Sequence, residues 1–470
     1  MLKNRQDGLA GLHGAVLLIL IAVAFLGSLL VVESRGWIHF NIEVNWGLYL
    51  VGVVVAMAWI RYSLRGAGDR LGALTWRGAL RLTSQQLIRL MVVLFTLAFV
   101  MKDVEVSRAF LAGFLLLAGM LLFAANFFLA RVLAVVFFRR QRLRTVVVAS
   151  RKEARLLQGW MAPRGHLGID AIGYVTPDTE AAKGDAMWLG GLANLAEILI
   201  RHAVDQVVFS QAEFSREGIA DVVNAAEQAH CRVRFFVNMQ SIFGGSAEQI
   251  EQIEHNEHYA FAASTLEPLE NPFNRVLKRL LDIVVALPVV LLVLPPLTLL
   301  VWSMQRRQSP GPVFYRQLRS GLNRQRFSIL KFRTMTVGQP QLCAQQATVH
   351  DARVFPFGRF LRRCSLDEIP QFLNVILGSM SVSGPRPHLL EHDEQFAQLE
   401  HAYFKRHFVK PGITGLAQSK GFRGELVAAS DLANRVHYDE IYVANWSLGL
   451  DLSILLNTAR QMVSPPRSAY

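Results

Sequence analysis

A chain of 470 residues exceeds one ordinary domain, so two or three folded units are expected. Apolar residues make up 52% of it and charged residues only 18%, which excludes a disordered, solvated chain and points to membrane segments. Forty-nine Lys and Arg against 36 Asp and Glu leave a formal charge of +13; with this much apolar sequence the expected partners are phosphorylated substrates and membrane lipids, not nucleic acid.

Four apolar runs, about 11–32, 46–60, 86–101 and 109–130, predict an N-terminal four-helix transmembrane bundle within residues 1–143. The first run lacks a small-residue cleavage site before Glu33, which argues against a signal peptide. Arg61, Arg65, Arg70, Arg77, Arg81 and Arg89 face a single acid, Asp69, in the segment 61–89. Arg131, Arg139, Arg140, Arg142 and Arg144 follow the fourth run, so both ends of the bundle are expected on the cytoplasmic side.

From 144 to 243 the pattern alternates. Thr145–Ala149, Ile172–Val175, Gln206–Phe209 and Arg232–Val237 read as buried strands, and 151–160, 191–202 and 215–230 as helices. This is the signature of a central α/β Rossmann-like domain with a parallel sheet. Its first turn, Ala149-Ser150-Arg151-Lys152, lacks the G-x-G-x-x-G that lets backbone approach a pyrophosphate. A structural, dimerising or regulatory role is therefore expected over dinucleotide chemistry. Residues 244–271, opening with Gly244-Gly245, read as a linker, and its His255-Asn256-Glu257-His258 as a solvated face. Cys231, Cys343 and Cys364 lack CxxC spacing, and His388 with His392 has no third ligand in view, so neither disulfides nor zinc are expected.

Residues 272–470 read as a mainly helical domain opened by a fifth apolar run, Ile283–Trp302. Pro288, Pro295 and Pro296 interrupt it, and a bend is expected near Pro295-Pro296. Arg275, Lys278 and Arg279 precede the run and Arg306 and Arg307 follow it. A straight span strands one basic cluster outside, whereas a re-entrant membrane helix over about 276–304 keeps both cytoplasmic.

The chemistry concentrates at Ser365-Leu366-Asp367-Glu368-Ile369-Pro370-Gln371, an acidic pair among Arg359, Arg362, Arg363 and Arg386. Ser365-x-x-Glu368 matches a capping box, and Leu366, Ile369, Leu373 and Ile376 continue as a helical apolar stripe. Around it lie Gln317-x-Arg319-x-Gly321, Lys331-Phe332-Arg333-Thr334-Met335, Gly384-Pro385-Arg386-Pro387 and Val409-Lys410-Pro411-Gly412. Proline and glycine at this density indicate fixed turns that present guanidinium and ammonium donors to phosphate oxygens.

In the order KRLLD, SPGPVFYRQLRSG, KFRTM, SLDEIPQFLNV, MSVSGPRP, VKPGITGLAQ and NWSLGLDLSIL, the chain from about 272 onward resembles the bacterial sugar transferase family, the monotopic polyprenyl-phosphate hexose-1-phosphate transferases. The four N-terminal runs and the degenerate Rossmann-like part are similar to its large, undecaprenyl-phosphate glucose phosphotransferase type. The resemblance implies that Asp367 attacks the sugar-bearing phosphorus of a UDP-sugar, expelling UMP, and that undecaprenyl phosphate then takes the phosphosugar from the aspartate. It implies Mg²⁺ held with Glu368, phosphate binding by Arg362, Arg386 and Pro387, a nucleotide site bordered by Lys331 and Arg333, and a re-entrant helix marked by Asp282, Pro295 and Pro296. It also implies the bacterial inner membrane, a catalytic domain on the cytoplasmic face, and a first step of exopolysaccharide, capsule or O-antigen synthesis; a homodimer is compatible with it. Leu294 stands where the family more often has the serine of a Ser-Pro pair, Arg324 where it often has glycine, and Ser419-Lys420 where Val-Asn is frequent. Two other classes stay open at this point: a membrane scaffold for polysaccharide assembly and a membrane-tethered nucleotide-sugar oxidoreductase or epimerase.

Overall fold

The computed structural model describes residues 2–34, 45–63, 71, 74–102, 108–139, 142–177, 184–210, 216–238, 259–263, 267–337, 351, 353–399, 401–422 and 429–463. They form two compact units, Met1–Ser264 with Glu270–Phe273, and Thr265–Leu269 with Asn274–Tyr470. The expected separate bundle and α/β domain thus share the first unit.

In that unit α1 (Leu2–Ser34), α2 (Trp46–Ser63), α3 (Trp76–Val100) and α4 (Arg108–Phe138) pack around Leu17, Phe25, Tyr49, Val53, Leu90, Leu94, Phe114 and Leu122. The outward faces are apolar as well: Ile19, Val23, Leu30, Val92, Phe95, Leu116 and Met120 are exposed. Helices apolar all round suit a lipid environment. By length and composition α1, α3 and α4 can each cross a membrane, while the apolar stretch of α2, Trp46–Trp59, is shorter. One buried polar knot joins the helices. Asn126 donates to Thr83 Oγ1 (3.0 Å) and Gln86 Oε1 (2.7 Å), and its own Oδ1 lies 2.9 Å from His13 Nε2. It sits in a π-turn, Ala125–Leu129, the wider turn that lets α4 present this side chain inward.

The α/β layer is a sheet ordered β3-β2-β1-β4-β5-β6, from β1 (Leu143–Val148), β2 (Ile169–Thr176), β3 (Trp188–Gly191), β4 (Gln206–Ser210), β5 (Arg232–Asn238) and β6 (Tyr259–Ala263). The first five are parallel, and β6 returns antiparallel to β5. Alternation explains the two-sided burial. Val146, Val148, Val175 and Val207 enter one core, and Val147, Tyr174 and Val208 the other. Two strands escaped the sequence reading. β3 ends in Gly190-Gly191 and carries no β-branched run, and β6 lies inside the stretch 244–271 taken as linker; Gly244-Gly245 and the His255–His258 segment lie outside the described residues.

After β1 comes α5 (Arg151–Met161), capped by Ser150, whose Oγ accepts from Glu153 N at 3.4 Å; α6 (Leu195–Arg201) follows β3 and α7 (Arg216–Gln228) follows β4. In place of a glycine-rich turn, Arg151 and Arg155 pair with Asp185 at 3.4 and 3.3 Å, and Tyr174 Oη donates to the same carboxylate at 3.1 Å. The Met187 N–H, with Tyr174 and Arg155, holds that carboxylate below its usual range. An internal anion therefore meets the cations at this helix start.

From Asn274 onward the long helix α8 (Pro272–Gln308) belongs to the second unit. Its regular turns give way to a π-turn at Val289–Val293, immediately ahead of the expected break at Pro295-Pro296. Proline supplies no N–H, and the wider turn absorbs the missing bonds. One face of α8 packs along the unit. Ala286 meets Ile329, Val375 and Val382, while Leu294 and Val301 meet Phe332 and Leu361. The other face exposes Leu280, Val284, Leu287, Leu291, Leu292, Leu299 and Leu300. A hairpin of β7 (Phe314–Ser320) and β8 (Arg326–Phe332) follows, turned by Asn323 and Arg324 at φ 50° and 62°. That is a left-handed pair, a conformation that favours glycine, so Arg324 carries backbone strain there. The Arg324 guanidinium lies 4.8 Å from the Phe404 ring centre. Then come α9 (Pro356–Arg363), α10 (Gln371–Leu377), β9 (Ser381–Ser383), α11 (Leu390–Leu399), β10 (Gly412–Thr414), α12 (Leu416–Ser419), α13 (Ala429–Asn445) and α14 (Leu448–Val463), with β9 and β10 parallel.

Lys278 ties α8 to this core. Its Nζ donates to Asp451 Oδ2 (2.8 Å), Tyr442 Oη (2.9 Å) and Ser383 O (3.0 Å), all in the interior. Asp451, 0% exposed, also accepts from Trp446 Nε1 at 3.0 Å. Lys278→Met leaves that carboxylate buried and unpaired, and is expected to destabilise the unit by about 3–5 kcal/mol. Lys278→Met with Asp451→Leu is expected to recover much of the loss; thermal melts of the detergent-solubilised chain measure both.

Candidate active site

The acidic pair does not start a regular helix. Ser365 sits at φ 55°, a left-handed conformation costly for a residue with a Cβ, and its hydroxyl makes no cap bond. Leu366–Glu368 is a single tight 3₁₀ turn, and α10 begins only after Pro370. The expected capping box is therefore absent, because Glu368 is engaged elsewhere. Its Oε1 accepts from Lys331 Nζ at 2.7 Å and Arg386 Nη2 at 2.6 Å, and its Oε2 from Arg386 Nη1 at 3.1 Å. The last two make the two-pronged arginine–carboxylate pair, the strong form of such bonds.

Each partner is delivered by a different element. Lys331 lies on β8, which Asn374 of α10 clasps by accepting from Leu330 N (2.9 Å) and donating to Ser328 O (2.8 Å). Arg386 follows β9, and Asp282 of α8 braces β9 by accepting from Ser381 Oγ (2.8 Å) and Val382 N (2.9 Å). Arg362, at the end of α9, donates from Nε to Thr334 Oγ1 at 2.9 Å. That approach needs Gly358, where a Cβ would lie 2.3 Å from the Thr334 carbonyl oxygen.

The two carboxylates are driven apart electrically. Burial works against ionisation of Glu368, but Arg386 and Lys331 outweigh it and hold that carboxyl far below its usual range. Asp367 moves the other way. Burial and the neighbouring Glu368 charge raise it to about 6, against the pull of Lys331, Arg362 and Arg386. Asp367 is thus the member whose ionisation falls near physiological pH, a half-buried oxygen ringed by cations.

Of the residues singled out in the sequence, Asp367, Glu368, Lys331, Arg362 and Arg386 come together. Arg333 does not present free donors to them: its guanidinium is spent on Pro312 O (2.7 Å), Ser309 Oγ (2.8 Å), Ser309 O (2.5 Å) and Met335 O (2.9 Å), as a brace of the loop before β7. Pro387 contributes its carbonyl, which accepts from Arg319 Nη1 at 3.4 Å, and lines a shallow cavity with Arg386. Pro295 and Pro296 stay within α8. The sequence reading missed the support behind Arg386. Arg406, 3% exposed, donates to Arg386 O at 2.6 Å and pairs with Asp439 at 2.9 Å, and His388 Nδ1 lies 2.7 Å from Tyr403 Oη. Nothing in their spacing announces these contacts. Arg319 and Arg435 are pulled down to about 10 by burial and by neighbouring guanidiniums, Arg386 among them. The region carries surplus positive charge suited to an anionic ligand.

Among the described residues no cluster of three or more His, Cys, Asp or Glu could cage a metal ion. Two adjacent carboxylates fit a different kind of site. Mg²⁺ commonly takes one or two protein carboxylates, several waters and the substrate's own phosphate oxygens.

The sequence is similar to those of known proteins. Residues 273–465 match the bacterial sugar transferase family, and residues 69–236 match the CoA-binding domain family. A UDP-glucose:undecaprenyl-phosphate glucose-1-phosphate transferase of Xanthomonas campestris pv. campestris is 35% identical over 332 residues, 70% of this chain and 68% of the relative. A Klebsiella pneumoniae protein of the same name is 35% identical over 292 residues, 62% of each chain. A UDP-galactose-lipid carrier transferase of Erwinia amylovora is 29% identical over 342 residues, 67% of each. The chain therefore spans about two thirds of the length of these relatives. With the whole run of motifs from the start of α8 to α14 inside the matched segment, the chain belongs to the bacterial sugar transferase family.

Proposed function

We propose that this protein transfers a hexose 1-phosphate, glucose by the names of its similar relatives, from a UDP-sugar to undecaprenyl phosphate, releasing UMP, as a first membrane step of exopolysaccharide synthesis. The observation that carries the reading is the pairing of Asp367 and Glu368. One carboxylate is locked ionised by two cations, and the other is left near neutrality within reach of the same charges.

In the first half of the reaction an ionised Asp367 oxygen attacks the phosphorus that carries the sugar. The bond from that phosphorus to the bridging oxygen breaks, and its electron pair leaves with UMP. In the second half an oxygen of undecaprenyl phosphate attacks the same phosphorus. The acyl phosphate bond breaks, and the aspartate is restored as a carboxylate. Splitting one displacement into two lets a soluble donor and a lipid acceptor use the site in turn. Arg386, Lys331 and Arg362 draw the donor phosphates in and offset the charge gathering on the equatorial oxygens. Glu368 would hold Mg²⁺ jointly with the donor diphosphate, and the bound ion would supply charge neutralisation and polarise the phosphoryl oxygen.

The helix α8 is read as re-entrant, seated in the cytoplasmic leaflet of the bacterial inner membrane. Its early turns bind the soluble core through Lys278, and its late turns through Gln305, which donates to Arg333 O at 2.7 Å. A straight helix rises about 1.5 Å per residue, so a spanning α8 would carry Gln305 across the bilayer, away from the domain it touches.

Asp367→Asn is expected to reduce UMP release to background and to remove the phosphosugar adduct from intact-mass spectra; full activity in that variant defeats the relay. Because the nucleophile must be ionised and its proton is held to about 6, kcat/KM is expected to fall as pH drops through 6 and to level off above 7. Glu368→Gln removes the neighbouring negative charge but also frees Lys331 and Arg386 toward Asp367, so that acid limb is expected to move below 6. A cysteine at Gln308 is expected to resist outside-only thiol reagents in intact cells, and its exclusive labelling by them would falsify re-entrance.

A further inference from the structure

α10 ends at Gly378, a left-handed residue at φ 88°, and the open side of this glycine faces two cations. A Cβ placed there would meet Lys410 Nζ at 3.8 Å and Arg279 Nη2 at 3.9 Å. Arg279 is satisfied by the helix end, donating to Val375 O at 2.5 Å and Ile376 O at 2.6 Å. Lys410 has no such partner: no hydrogen bond or ion pair reaches its half-buried ammonium among the described residues. Asp282, the acid whose charge reaches Lys410, already accepts from Ser381 and Val382. Burial, reinforced by Arg279 and opposed only in part by Asp282, holds the Lys410 ammonium below its usual range.

The location matters as much as the charge. The Lys410 carbonyl lies against Gly384, 2.5 Å from where a Cβ there would stand, so Lys410 borders the segment that carries Arg386. Arg279 belongs to α8, one residue before exposed Leu280, and Leu377, next to Gly378, is 81% exposed. The surroundings of Gly378 thus join two cations, one beside the catalytic segment and one on α8, to exposed apolar side chains. Resting on the transfer reading above, we infer that Lys410 and Arg279 bind the headgroup phosphate of the acceptor lipid, with its hydrocarbon chain laid along the exposed leucines of α8.

The test uses the full chain in nanodiscs. In phosphatidylcholine discs with undecaprenyl phosphate as the only anionic lipid, Lys410→Met is expected to raise the acceptor KM about tenfold or more, the loss of one charge-assisted bond. The KM for the UDP-sugar is expected to stay within twofold, and Lys410→Arg to restore most of the acceptor affinity; melting temperatures of both variants report folding. An unchanged acceptor KM overturns the assignment, as does a matching rise in the donor KM. A defect seen only in phosphatidylglycerol discs assigns the pair to bulk phospholipid and also overturns it. Acceptor KM comes from steady-state turnover and does not depend on trapping an adduct, so failure of the aspartyl relay and failure of this site are separate results. Should wild-type turnover be absent, the transfer reading fails, and the thermal shift induced by undecaprenyl phosphate in wild type and Lys410→Met decides the site alone.

Discussion

The clamp of Arg386 and Lys331 on Glu368 is the interaction on which the rest of the second unit converges. Three separate pieces of chain meet at one carboxylate: β8 through Lys331, the turn after β9 through Arg386, and the 3₁₀ turn through Glu368 itself. Charge-assisted bonds in this setting are short and directional, so they set positions as well as energies. They also decide which of two neighbouring acids carries the proton. Two adjacent carboxyls that share a half-buried site cannot both ionise freely, and the one bound to two cations ionises first. What remains for Asp367 is a raised affinity for its proton, a chemical difference between two residues that are almost identical in the sequence.

The structure spends further residues on keeping that clamp in place. Arg406 grips the carbonyl of Arg386 while pairing with Asp439, and Asn374 stitches α10 to the strand that bears Lys331. Both supports use fully or nearly buried polar groups whose hydrogen bonds are made inside the protein, which favours one arrangement over a set of looser ones. The left-handed Ser365 belongs to the same picture. Backbone strain is tolerated where surrounding contacts over-determine a residue, and here it turns the acidic pair toward the basic strands.

Much of this is legible in the sequence alone, and the reason is local. Asp367 and Glu368 are adjacent, the arginines cluster around them in short Pro- and Gly-rich motifs, and apolar runs announce α1, α2, α3, α4 and α8. The parallel strands were legible because β1, β2, β4 and β5 carry valine-rich runs buried on both faces. Elements without such a run escaped: β3 is four residues with two glycines, and β6 reads as linker until its pairing with β5 is known. Ser365-x-x-Glu368 has the spacing of a capping box, but a tertiary pairing outcompeted the local one. Arg333 stands in a basic motif and still points into backbone carbonyls. Spacing reveals which charges are near in sequence, and not which of them are already satisfied.

On the proposed membrane seating, Asp282 links the bilayer to the site. The same helix whose outer face is made for lipid grips, through a single carboxylate, the short strand that leads to Arg386. With that helix seated in a bilayer as proposed, a shift in its depth would reach the guanidinium through the five residues from Val382 to Arg386. Membrane thickness and lateral tension would then be variables of the proposed transfer, to be compared between detergent and a native-thickness bilayer.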